Sequence, residues 1–195
     1  YIEDAGGGAT VEISGNTIEG EYAYGIFFSA IGDDGTTPSS TLVENNRISV
    51  AGNGMEFDML FDTAPGELMV RRNTLEGNKY GIKVNSFGAL VNDPQTEIRF
   101  TENNIEGNWF GFQNAGNGFV INAENNWWGD ASGPFHDDND GGTGDTVSDA
   151  VDYDPWLDSA WEEEDDSSSG CNAGALNPLF LLLLAPMGLL LRKSR

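Results

Sequence analysis

Apolar residues along this chain fall in short alternating runs rather than at helical spacing. Val11-Glu12-Ile13-Ser14-Gly15-Asn16-Thr17-Ile18 superposes without gaps on Thr41-Leu42-Val43-Glu44-Asn45-Asn46-Arg47-Ile48, Leu68-Met69-Val70-Arg71-Arg72-Asn73-Thr74-Leu75 and Ile98-Arg99-Phe100-Thr101-Glu102-Asn103-Asn104-Ile105. A fifth copy, Ile121-Asn122-Ala123-Glu124-Asn125-Asn126-Trp127-Trp128, keeps the shared asparagine. After each of the first four copies a second strand begins with glycine: Gly25-Ile26-Phe27-Phe28, Gly54-Met55-Glu56-Phe57, Gly81-Ile82-Lys83-Val84 and Gly111-Phe112-Gln113-Asn114. Period-two alternation turns Val11, Ile13, Val43, Leu68, Val70, Ile98 and Phe100 to one face, with Ile18, Ile48, Leu75, Ile105 and Trp128 inward after the turn. Each unit can bury its stripe only against the units above and below it, which is the logic of a solenoid.

The shared asparagines are Asn16, Asn46, Asn73, Asn103 and Asn126, spaced 30, 27, 30 and 23 residues apart. The elements are constant and the loops between them elastic. Asparagine tolerates the left-handed backbone of a tight turn, and its amide can bond the same asparagine one coil away. Five in register predict a structural ladder. Leucine-rich repeats would need denser leucine, and propeller blades four strands per unit.

Charge then divides the chain. Among 195 residues there are 9 Lys and Arg against 32 Asp and Glu, a net charge of −23, which excludes nucleic-acid binding through a basic footprint. The single cysteine excludes an intrachain disulfide framework. Four segments follow: repeats over 1–129, an acidic end module over 130–158, an acidic and serine-rich linker over 159–170, and a tail over 171–195. The tail is apolar from Leu179 to Leu191, apart from Pro186 and Gly188, and closes on Arg192, Lys193 and Arg195. As a helix, 173–191 would reach roughly 28 Å, just enough to cross a bilayer core. Because the chain opens on Tyr1, it reads as the C-terminal part of a longer protein with further rungs upstream.

The repeat over roughly 8–130 resembles the right-handed parallel β-helix of the pectin-lyase-like superfamily. The run Asn126-Trp127-Trp128-Gly129-Asp130-Ala131-Ser132-Gly133-Pro134, followed by Gly144-Asp145-Thr146-Val147-Ser148 and Asp154-Pro155-Trp156-Leu157, resembles the end module of bacterial and archaeal surface β-helix proteins. The expected fold is therefore all-β: a single-stranded right-handed parallel β-helix with a C-terminal cap, an acidic spacer and one hydrophobic C-terminal helix. Trp127, Trp128 and Trp156 are expected to pack in the cap. Ser168-Ser169-Gly170-Cys171-Asn172-Ala173-Gly174, the apolar run and the basic stop resemble the Synerg-CTERM and MYXO-CTERM sorting tails. That resemblance implies a transient membrane contact, cleavage by a sorting protease near Gly170 and Cys171, and display on a bacterial cell surface.

The superfamily includes lyases, hydrolases and non-catalytic surface proteins, so the residues must decide. The Asn-Thr-Asp and Gly-His-Gly elements of polygalacturonase-type hydrolases are missing, and the one histidine, His136, falls in the end module. A uronate lyase needs a cation and a basic proton acceptor, for which Lys83, Arg71 and Arg99 are the candidates. Pairing across rungs, as between Glu44 and Arg71 or Glu56 and Lys83, is the competing role. Asp137, Asp138, Asp140 and Asp145 concentrate oxygen ligands in a glycine-rich loop, a candidate Ca²⁺ site that matches neither an EF-hand nor the glycine-rich calcium repeats. The expectation is a non-catalytic scaffold or carbohydrate-contacting surface whose partner is an envelope or extracellular polysaccharide. A lyase or hydrolase with its cleft partly upstream, and an adhesin for a protein partner, are the alternatives. A binding surface would carry an aromatic or amide stripe, to which Phe27 and Gln113 would belong.

Overall fold

The computed structural model describes residues 8–32, 37–116 and 118–162. The linker beyond Glu162, Gly170, Cys171 and the apolar tail lie outside the described residues. Three strands per turn build the coil: β1 (Thr10–Ser14), β2 (Thr17–Gly20) and β3 (Tyr24–Phe28) in the first, β4 (Ser39–Glu44), β5 (Arg47–Val50) and β6 (Asn53–Phe57) in the second. The third holds β7 (Gly66–Arg71), β8 (Thr74–Glu76) and β9 (Tyr80–Val84), and the fourth β10 (Glu97–Thr101), β11 (Asn104–Glu106) and β12 (Phe110–Asn114). A fifth turn is irregular: β13 (Ile121–Asn122), Trp127 bridged to Asn104, a loop carrying β14 (Pro134–Phe135) and β15 (Gly144–Thr146), and Val147 bridged to Phe112. β16 (Val151–Asp152) then begins one more course. Every pairing between strands is parallel, in a first sheet β1-β4-β7-β10-β13-β16, a second β2-β5-β8-β11 and a third β3-β6-β9-β12. The protein is thus an all-β parallel solenoid of about five turns, with no helix among the described residues.

In-register stacking places like on like. Val43 faces Val70, Ile48 faces Leu75, and Met55 faces Ile82, all fully buried. Phe28 stacks on Phe57 at 5.2 Å, and Phe100 meets Phe57 and Phe112 edge-on at 5.6 and 4.9 Å. Each such side chain contributes about 1.5–3 kcal/mol by leaving water. The third-sheet strands begin one residue before their glycines, and Gly25, Gly54, Gly81 and Gly111, second in each strand, form a column because the corner leaves no room for a side chain. A Cβ on Gly54 would stand 2.7 Å from the Gly81 carbonyl oxygen, and one on Gly81 would stand 2.6 Å from that of Gly111.

Asparagine ladders fill two of the corners. At the first corner Asn16, Asn46, Asn73 and Asn103 each donate their amide Nδ2 and backbone N–H to Oδ1 of the asparagine one turn on, at 2.9–3.0 Å, ending on Asn126. The same amides reach back to the Ile13, Val43 and Val70 carbonyls. One detail of the sequence reading changes. The left-handed residues are the preceding Gly15, Asn45, Arg72, Glu102 and Asn125, with φ between 55° and 66°, and not the ladder asparagines. The asparagine is selected for its amide, and its neighbour absorbs the backbone turn.

The end module is partly cap and partly coil. Val151 and Asp152 extend the first sheet, Trp128 is wholly buried, and Trp156 covers Gly133 while donating Nε1–H to the Ala131 carbonyl at 3.1 Å. Ser132 donates its hydroxyl and backbone N–H to Asp130 at 2.6 and 2.9 Å, and these bonds hold the Asp130 carboxyl below the usual carboxylate range. Trp161, within the acidic linker, packs on the coil: it exchanges two hydrogen bonds with Asn104, at 2.7 and 2.9 Å, and lies under the Arg72 guanidinium.

Candidate functional site

Strand alternation sends one side of the third sheet into the core and presents the other. Register sets Phe27, Glu56, Lys83 and Gln113 in one row on the presented side, and Tyr24, Asn53, Tyr80 and Phe110 in a row at the start of the strands, three residues earlier, where the coil turns into the sheet. The rows carry two aromatic pairs, Tyr24 with Phe27 at 4.9 Å and Tyr80 with Phe110 at 5.8 Å. Between the pairs lies a polar clasp. Glu56 is only 5% exposed, accepts from the Asn53 amide and from the Asn85 amide at 2.6 Å, and stands 3.6 Å from Lys83 Nζ. Asn85 also donates to Asp58 at 3.0 Å. Lys83 and Lys79 lie over the Tyr80 ring at 5.9 and 5.3 Å. Two ammonium groups thus balance two carboxylates, making a locally neutral strip on a strongly acidic chain. Phe27 and Gln113 are members of it; the sequence did not reveal that Tyr24, Tyr80, Phe110 and the Glu56 clasp would join them.

The three cations considered for catalysis do not converge. Arg71 and Arg99 stand on the first sheet, Lys83 on the third. Each has a carboxylate: Arg71 with Glu44 at 2.8 Å, Arg99 with Glu97 at 2.5 Å, and Lys83 with Glu56. Nor are Asp137, Asp138, Asp140 and Asp145 brought together. Among the described residues no three His, Cys, Asp or Glu side chains are close enough to hold a metal ion. Asp145 turns away from the other three and into the coil, where it accepts from Asn108.

Asp145 terminates a second ladder that the sequence reading missed. At the corner between the second and third sheets, Asn78 Oδ1 accepts from the Val50 N–H at 2.8 Å. Asn78 donates its backbone N–H and Nδ2 to Asn108 Oδ1 at 2.9 and 2.8 Å, and Asn108 donates the same two groups to Asp145 Oδ2 at 3.0 and 2.8 Å. The signal was the repeated Glu-Gly-Asn at 76–78 and 106–108. Burial pushes the Asp145 carboxyl up to about 6, with Glu106 adding to the rise and the Asn108 and Gly107 hydrogen bonds opposing it. Beside it opens a cleft of about 570 Å³ lined by Glu76, Glu106, Trp128 and the largely exposed Trp109.

No family model matches the chain, and neither the curated proteins nor the solved structures compared with it give a match.

Proposed function

We propose that this protein is a non-catalytic carbohydrate-contacting solenoid, of the right-handed pectin-lyase-like kind its repeats resemble, displayed on a bacterial surface through a processed C-terminal tail. The observation that carries the binding role is the strip on the third sheet: aromatic pairs on a rigid strand array, with amides and charges between them. Flat rings with polar edges suit the faces of sugar rings, and oriented amides suit their hydroxyls. A regular parallel sheet holds these groups at fixed spacing, so little ordering entropy remains to be lost on binding. The cations that a uronate lyase would use are occupied by carboxylates, which favours contact over turnover.

The test is binding of the chain to immobilised neutral, anionic and amino polysaccharides, with the ultraviolet absorbance of unsaturated uronates followed in parallel. Binding that falls at least tenfold in Tyr80→Ala, without absorbance change, is the expected result. Unsaturated product would overturn the non-catalytic reading. Silence toward every glycan would leave the adhesin alternative in its place.

A further inference from the structure

We infer that the third-sheet strip takes a neutral, extended glycan lying along the coil axis, and that Glu56 is the residue that sets this preference; the inference rests on the carbohydrate-contact reading above. Direction comes from the register. The aromatic pairs sit on the first turn and on the third and fourth, so a ligand touching both must run across the strands, parallel to the stack. The rung spacing of about 4.8 Å is close to the advance of one pyranose in an extended chain. One sugar per rung would then meet Tyr24 and Phe27, the clasp, and Tyr80 with Phe110 in turn.

Charge selects the class. An oligouronate would place a carboxylate on nearly every rung, against Glu56 and Asp58, with Lys83 held by Glu56 and Lys79 held over Tyr80. The surrounding chain, at −23, adds a repulsive field within about 10 Å of its surface. A neutral sugar meets none of this. Glu56 matters because both of its oxygens are engaged: Oε2 by Asn53, and Oε1 by Asn85 and Lys83. It fixes the two amides by their NH₂ groups, which leaves each Oδ1 to accept from a sugar hydroxyl. It also neutralises Lys83, the ammonium at the centre of the strip.

Isothermal titration of the full chain with cellohexaose, mannohexaose and xylohexaose, against hexagalacturonate and hexamannuronate, tests this. Each titration is run with Ca²⁺ and with a chelator. A neutral hexamer should bind at least tenfold more tightly than either uronate. Glu56→Gln should weaken the neutral ligand at least fivefold and at the same time raise uronate affinity, a reversal that loss of packing alone would not produce. Should that variant fail to fold, Asp58→Asn on the exposed edge of the clasp should narrow the discrimination threefold or more. Uronate binding equal to or tighter than neutral binding, with or without Ca²⁺, overturns the inference while leaving carbohydrate contact standing. Absence of binding to all five overturns both.

Discussion

The two corner ladders solve one problem with different ends. Along the first corner, five amides of the same kind follow one another and the last acceptor is Asn126, itself donating to the Phe100 and Ala123 carbonyls at 2.7 Å. Along the second, two amides lead to a carboxylate, Asp145, supplied by the end module. An asparagine has both an acceptor and a donor. Asn78 and Asn108 use the donor to reach back to the Ile48 and Leu75 carbonyls, and by register the corresponding partner for position 145 is the Ile105 carbonyl. An ionised aspartate can only accept. Only when it carries a proton does Asp145 offer what the ladder offers elsewhere. The first corner is therefore indifferent to pH, whereas the second, where end module meets coil, is not.

Breaking the longer ladder should cost most. Asn73→Ala, at a wholly buried position, removes the acceptor for two Asn46 N–H groups and the donor to Val43, and should destabilise by about 3–4 kcal/mol in urea denaturation. Asn108→Ala cuts the shorter ladder at its joint with Asp145 and should cost about 2–3 kcal/mol. Asp145→Asn should act in the opposite direction. The carboxyl titrates near 3.8 when unfolded and near 6 when folded, so its contribution is fully present below about pH 4 and is lost as the pH rises through 6. At pH 7.5 the variant should gain about 1–2 kcal/mol, less than the roughly 3 kcal/mol of the full displacement because part of the group meets solvent. At pH 4 it should match the parent, and equal gains at both values would refute the linkage. Asn16→Ala, at the exposed start of the first ladder, should cost less than about 1 kcal/mol.

Much of this was legible in the chain because repetition amplifies weak signals. One alternating run such as Val11 to Ile18 could belong to many folds, but four copies with a common asparagine and a glycine-led partner strand define a stacked coil. The first corner was readable for the same reason. The second was not, because its asparagines occur only twice and its last member is an aspartate in a different segment. The third-sheet strip was only hinted at: Tyr24, Asn53, Tyr80 and Phe110 are not one repeated residue, since Asn53 interrupts the aromatics, so nothing links the four until the register does. Asp145 shows the converse. Composition grouped it with Asp137, Asp138 and Asp140 as an oxygen-rich loop, while a single strand, β15, carries it to the coil instead.

The unequal asparagine spacings have a further consequence. From each ladder residue to the start of its third-sheet strand the count barely varies, so the slack between turns sits after that strand, in 29–38, 58–65, 85–96 and 115–120. Those segments work like hinges of adjustable length in a bound stack of pages. A foreign peptide spliced into 92–95, the exposed end of 85–96, would enlarge a loop while leaving the Leu60–Phe87 bridge and buried Val91 in place, which makes this coil a natural carrier for displayed sequence.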